Sequence, residues 1–263
     1  MLLKNKAVVI YGAAGAIGSA SAHAMAREGA RLFLTGRRRG PVETLARDIL
    51  AAGGTAEAAE LDALDAEAVQ AHLQSVVDRA GRLDVSFNAV GLRDATTIGV
   101  PFTELGVDEF LRPIVGYATS WFTTARAAGR HMIPSKAGVI MTVTALPARR
   151  GTPLNGGYGP AQAAKEALTR DLSFAFAPHG IRVVGLRPHG LPETRTMRAV
   201  FDVKSSTTGM TWEQFTGYLA GTTHPRRVMA LAEVAEMAAF LASDRASGLT
   251  GTTVNLTLGS LDD

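Results

Sequence analysis

The chain is 263 residues long, with 46% hydrophobic and 19% charged residues, a balance that fits one well-packed α/β globule and excludes a disordered chain. It holds no cysteine, which removes disulfides and thiolate metal sites, and no metal site is expected. Its formal net charge of +3 is not gathered into a basic stripe with interleaved aromatics, so nucleic acid is not an expected partner. No apolar run approaches the roughly 18 residues of a membrane span, so no membrane association is expected. The opening MLLKNKAVVIYG enters a strand without a secretory leader, and a cytoplasmic address is the expectation.

AVVIY (7–11) predicts the first strand, followed by a glycine-rich turn and a helix over Ser19–Glu28. RLFL (31–34) predicts the next strand, with helical patterns over Val42–Ala52 and Ala66–Ala80. LDVSF (83–87), a long helix around Tyr117–Met132 and GVIMTV (138–143) come next. A helix over Tyr158–Ala177, IRVVGL (181–186), a helix over Leu231–Ala242 and TTVNL (252–256) complete the rhythm. The strands are near-continuously apolar, which fits burial on both faces, and the alternation predicts a doubly wound parallel sheet covered by helices on both sides. Residues 191–226 interrupt the alternation. They are too long for an ordinary connection and read as a substrate lid with a short helix near Trp212–Leu219. No repeat or linker marks a second domain, so 1–263 reads as one.

The first strand ends in YGAAGAIGSA, with glycines at 12, 15 and 18 between a strand and a helix. Gly12 suits a tight turn, Gly15 a close approach of backbone to a pyrophosphate, and Gly18 close packing of helix on strand. The helix N-terminus beyond them offers amide donors and a positive dipole end to phosphates. Ile17 lies in the same loop and is counted among the cofactor contacts. The second strand, RLFLTGRRRG, carries Gly36 where an NAD site places an acidic residue for the ribose, followed by Arg37, Arg38 and Arg39. A guanidinium there matches a 2′-phosphate, so NADP(H) is expected in preference to NAD(H), with Arg37 as first candidate.

In family order, YGAAGAIG, TGR, LDALD, FNAVG, GVIMTVTA, Tyr158, IRVVGLRP and FLASDRASGLTGTTVNL resemble the short-chain dehydrogenase/reductase family over essentially the whole chain. The resemblance implies a Rossmann-type fold and an NAD(P)-dependent oxidoreductase. It implies adenine contacts from Asp62 and Ala63, and a cofactor site backed by Asn88–Gly91, Val90 included. Pro188, Gly190 and Thr194 would lie near the nicotinamide. The family's tyrosine acid/base falls on Tyr158, but its lysine falls on Gln162, its serine on Ala145 and its asparagine on Tyr117. The chain also departs from the family at FNAVG, RPHG and NLTLG, where a second asparagine, a Pro-Gly and an acidic residue are usual.

These replacements matter because an unperturbed tyrosine, of pKa about 10, stays protonated at neutral pH, and a neighbouring ammonium is what ordinarily brings it into range. Lys165 stands seven residues after Tyr158, the spacing found in enoyl reductases of the same family. The axial rise over seven residues is about 10.5 Å, however, and GPAQAA puts Gln162 at the lysine position. Lys165 is therefore expected to face solvent or an interface. His189, beside Pro188, and Thr144, beside Ala145, are the candidate assistants to Tyr158. Arg149 and Arg150 read as solvated loop charges, and Trp212, Phe215 and Tyr218 as one packing face of the lid helix. The Ala-rich helices around 117–132 and 158–177 suit a homo-oligomer, a dimer or tetramer by resemblance.

The leading expectation is an NADP(H)-dependent oxidoreductase acting on a carbonyl or activated double bond of a small molecule. Two alternatives remain open: a non-catalytic subunit that stabilises a related short-chain subunit, and a non-redox cyclase or dehydratase using the same pocket.

Overall fold

Val8, Val9 and Ile10 have no solvent exposure, and successive side chains of this strand enter opposite cores. Val8 and Ile10 pack in a cluster with Met25, Leu45 and Val234, whereas Val9 and Tyr11 pack in another with Leu73, Trp121 and Leu172. A strand buried on both faces belongs at the centre of a sheet. The computed structural model describes residues 1–92 and 98–262, and only the backbone of Thr207. Its strands are β1 (Ala7–Tyr11), β2 (Arg31–Gly36), β3 (Thr55–Glu60), β4 (Val85–Asn88), β5 (Gly138–Val143), β6 (Ile181–Pro188) and β7 (Thr252–Leu256). They form a seven-stranded parallel sheet in the order β3-β2-β1-β4-β5-β6-β7.

Helices α1 (Ala16–Arg27), α2 (Arg39–Ala51) and α8 (Leu231–Ala242) supply the first core. Helices α3 (Ala66–Ala80), α4 (Val107–Met132) and α5 (Tyr158–Phe176) supply the second. The expected single α/β layer structure is the one observed. Three differences have physical reasons. β3, TAEAAE, carries no branched apolar run, yet pairs with β2 from Arg31↔Thr55 to Gly36↔Glu60 as an edge strand. α4 begins ten residues before the expected start and carries Pro113 inside it. Residues 191–226, expected to hold one short helix, hold two, α6 (Arg195–Thr208) and α7 (Trp212–Gly221).

Candidate active site

β2 and β4 flank β1 on opposite sides, so the connections after β1 and after β3 diverge and open a crevice at the carboxyl ends of the strands. The loops after every strand from β1 to β6 carry sequence-predicted site residues to this edge.

On the β1 side the backbone is built for a close approach. Gly12 has φ +69°, and a Cβ there would stand 2.8 Å from the Ala89 carbonyl oxygen and 2.9 Å from Val90 Cα. Gly15 caps α1 without a side-chain hydrogen bond, and the first turn, which includes half-buried Ile17, has no acidic residue. The amide donors and positive dipole end of α1 are thus not answered from within the helix. At the end of β2, Arg39 is spent on Glu43, 2.6 Å away, and its amide donates to Glu60. Arg37 and Arg38 are exposed and have no ion pair among the described residues. After β3, exposed Asp62 accepts from the Leu64 amide at 3.0 Å, and Ala63 is buried. Asn88 directs its amide nitrogen to Ser120 and Thr124 of α4 at 2.9–3.1 Å. Its side chain therefore ties β4 to α4, leaving the backbone through Val90 and Gly91 as the surface facing the crevice.

On the other side, α4 and α5 cross so closely that a Cβ on Gly157 would lie 1.9 Å from the Phe110 carbonyl oxygen. This glycine, which no motif singled out, brings Tyr158 at the start of α5 against Tyr117. Their rings meet edge-to-face, 5.8 Å between centroids at 75°. The Tyr117 hydroxyl accepts from the Leu92 amide at 3.2 Å. Burial, with Tyr117 second, pushes the Tyr158 phenol well above the usual tyrosine range. One turn on, Gln162 is 2% exposed, and its side chain makes no hydrogen bond among the described residues.

Lys165 corrects the sequence expectation. It is not at the surface but 1% exposed, with Nζ 2.5 Å from the Val143 carbonyl oxygen and 5.4 Å from the centre of the Tyr117 ring. Tyr158, Gln162 and Lys165 follow at i, i+4 and i+7, so they share the α5 face turned to α4 and β5, and the lysine stem runs through the packing to reach a polar atom. It has no carboxylate partner among the described residues, and burial lowers its pKa from the ordinary 10.5 to about 7. Thr144 is buried and donates its hydroxyl to Glu166 at 3.0 Å, with the Leu186 carbonyl at 3.3 Å. That hydroxyl has one hydrogen, already engaged, so Thr144 joins β5 to α5 and has none to donate to a substrate.

At the end of β6, Pro188 pairs with Leu256 of β7, and His189 is 4% exposed with Nε2 3.0 Å from the Thr222 hydroxyl. Burial lowers the His189 pKa from its ordinary value, favouring the neutral ring. Gly190 lies under Met197 and Leu219, and Thr194 caps α6 by accepting from the Met197 amide. In the 191–226 segment, the Arg198 guanidinium lies 3.7 Å from the centre of Trp212, whose ring meets Phe201 edge-to-face and Phe215 at a tilt. Phe215 is buried but Tyr218 is 51% exposed under Lys204, so these three aromatics do not form one packing face. Arg149 does more than cap a loop: with Glu166, Arg170 and Arg187 it lines a cavity of about 250 Å³ on the β7 side of α5. Among the described residues no His/Asp/Glu group could hold a metal, and no helix is long and apolar enough to cross a membrane.

Comparison with known proteins shows the family to which this fold belongs. The family described as Enoyl-(Acyl carrier protein) reductase matches residues 12–260. An uncharacterized oxidoreductase, YxbG, of Bacillus subtilis (strain 168) is 31% identical over 95% of this chain and 88% of its own length. Cis-4-hydroxycyclohexanecarboxylate dehydrogenase of Sinomonas cyclohexanicum is 31% identical over 94% of this chain and 93% of its own. The gluconate 5-dehydrogenase of Burkholderia cenocepacia J2315, solved with NADP and tartrate, superimposes with TM-score 0.87 at 25% identity, covering 98% of this chain and 96% of that one. The chain therefore belongs to the short-chain dehydrogenase/reductase family, and its relatives are oxidoreductases.

Proposed function

We propose that the protein is an NADP(H)-dependent reductase of a carbonyl or polarised double bond in a small molecule, with Tyr158 as proton donor. The observation that supports the reading is the position of Tyr158, at the start of α5, at the same carboxyl edge of the sheet as the glycine-rich turn opening into α1, whose first turn carries no acidic residue. A nicotinamide cofactor at that turn supplies the hydride. Gly15 would let backbone meet its pyrophosphate, while Gly12 makes the turn and Gly18 packs helix on strand, and the amides of the first turn of α1, Ile17 among them, would supply donors. Arg37, with Arg38 beside it, fits a 2′-phosphate that an acidic residue would repel. Asp62 and Ala63 would contact the adenine, and the Val90–Gly91 backbone would wall the cofactor from behind. Gln162 offers an amide to a ribose hydroxyl. Pro188, Gly190 and Thr194 would frame the nicotinamide, with neutral His189 as a hydrogen-bonding neighbour.

Tyr158 works here with an altered set of helpers: Ala145, Tyr117 and Gln162 occupy the positions where the resemblance places serine, asparagine and lysine. A substrate already polarised by conjugation needs less from such a set, because hydride transfer depends mainly on placement. The gluconate dehydrogenase solved with NADP supports the phosphate-bearing cofactor. We also propose a homo-oligomer: Val107, Leu111, Val115 and Phe122 form an exposed apolar stripe on α4, and Phe174 of α5 is 88% exposed.

NADPH oxidation against a panel of ketones and enones tests the reading. Tyr158→Phe should lower the rate by about 10² to 10⁴ on any substrate found. Silence across the panel with cofactor bound, or unchanged rates in the variant, would overturn it.

A further inference from the structure

The cavity of about 250 Å³ between α5 and the edge strand β7 is one that the proposed reaction does not use. Its buried part is the Arg187–Glu166 pair, 2% and 3% exposed. Arg149 enters from the loop after β5, and Arg170 from α5, one turn beyond Glu166. Gly251, Thr252 and Thr253 supply the β7 side. Val183, Gly185 and Arg187 share one face of β6, the face that packs on α5. A Cβ on Gly185 would stand 2.8 Å from the Thr253 hydroxyl oxygen, so the missing side chain is what admits that hydroxyl.

Three guanidiniums therefore line this space with one carboxylate, and that carboxylate is already answered. Both oxygens of Glu166 accept from Arg187, at 2.7 and 3.1 Å, and one also accepts from Thr144 at 3.0 Å. Arg170 forms no ion pair among the described residues. Arg149 and Arg187 have other interactions besides. A guanidinium carries five N–H donors, however, and can serve an anion as well as a protein partner. We propose that the cavity binds a phosphate-type oxyanion, held by Arg149, Arg170 and Arg187 with hydroxyl donors from Thr252 and Thr253. Guanidiniums from three separate segments suit the several oxygens of a tetrahedral dianion better than the two oxygens of a carboxylate. The volume lies below the roughly 300–1,000 Å³ of ordinary ligand pockets, which fits one phosphoryl group and not a nucleotide. Glu166 is the one lining group that repels an anion, and Arg187 and Thr144 occupy its oxygens.

Calorimetric titration of the full chain with inorganic phosphate, at constant ionic strength set with chloride, tests this. The expected result is saturable binding at one site per chain. Arg170→Ala and Arg149→Ala, both at exposed positions, should each weaken it by at least about tenfold, the loss of one charge-assisted contact. Arg37→Ala, at the end of β2 in the opposite half of the sheet, should leave it unchanged. Glycerol 3-phosphate, titrated in the same way, identifies the source: tighter binding than phosphate assigns the phosphoryl end of a larger molecule, and equal or weaker binding assigns free phosphate. Acetate should bind at least about tenfold more weakly than phosphate, having fewer oxygens and less charge. No saturable binding above the chloride background would overturn the proposal, as would acetate binding as tight as phosphate. Binding that is kept in Arg170→Ala and lost in Arg37→Ala would place the anion in the cofactor crevice and overturn it too. The proposal rests on the cavity alone, so its failure leaves the oxidoreductase reading standing, and the reverse holds.

Discussion

Lys165 and Glu166 are neighbours on α5, 1% and 3% exposed, yet the fold treats them in opposite ways. Glu166 accepts two hydrogen bonds from Arg187, at 2.7 and 3.1 Å, and one from Thr144, at 3.0 Å. That carboxylate pins α5 to β5 and β6, and its desolvation is answered by a bidentate guanidinium and a hydroxyl. Lys165 receives one backbone carbonyl and an aromatic face, with no opposite charge among the described residues. The two positions separate a charge that holds the structure together from a charge that the structure merely tolerates, on the side where the candidate site lies.

Removing the guanidinium that answers Glu166, and removing the Lys165 charge itself, should make this contrast visible as stability changes of opposite sign. Arg187→Met leaves the Glu166 carboxylate enclosed without its guanidinium and should cost about 3–5 kcal/mol in urea unfolding. A loss under 1 kcal/mol would show that other groups satisfy Glu166. Lys165→Met should go the other way, stabilising the protein at pH 6 by about 1–4 kcal/mol, since a similar apolar volume replaces an isolated charge. The pH dependence has a definite sign. Below about 7, Lys165 is protonated in both folded and unfolded chains, and folding carries the full cost of burying the charge. Between about 7 and the ordinary 10.5 the unfolded chain binds the extra proton, so this contribution to stability improves as pH rises. The methionine variant should lose that slope. A destabilised variant at pH 6 with the slope intact would contradict the assignment of Lys165 as the unanswered charge.

The same division runs through what could be read before the fold was known. β1, β5, α3 and α8 are legible to the residue because apolar runs and helical periods there coincide with burial, and β7 is legible from its β-branched TTVNL run although none of its residues is buried. β3 escaped because TAEAAE offers no branched apolar signature and gains strand structure only by pairing with β2. α6 escaped because RTMRAVFDVKSSTT is largely polar. In the site, the glycine cradle and Tyr158 are read directly, since their chemistry demands particular residues in order. Gly157 carries no such signal. Its role comes from the approach of α4, a tertiary fact. Lys165 was misread for the same reason: a lysine on a helix ordinarily solvates its charge, and only the packing of α4 and β5 around α5 decides otherwise.

The proposed reaction begins with the cofactor, so a calorimetric titration of the purified chain with NADPH and with NADH tests the central claim most directly. The account predicts micromolar binding that prefers NADPH, with Arg37→Ala weakening NADPH about tenfold and leaving NADH nearly unchanged, the expected loss of one charge-assisted contact of about 1.5–3 kcal/mol partly shared with Arg38. Absence of binding by either cofactor would contradict it, and Tyr158 would then stand in a fold that no longer performs redox chemistry.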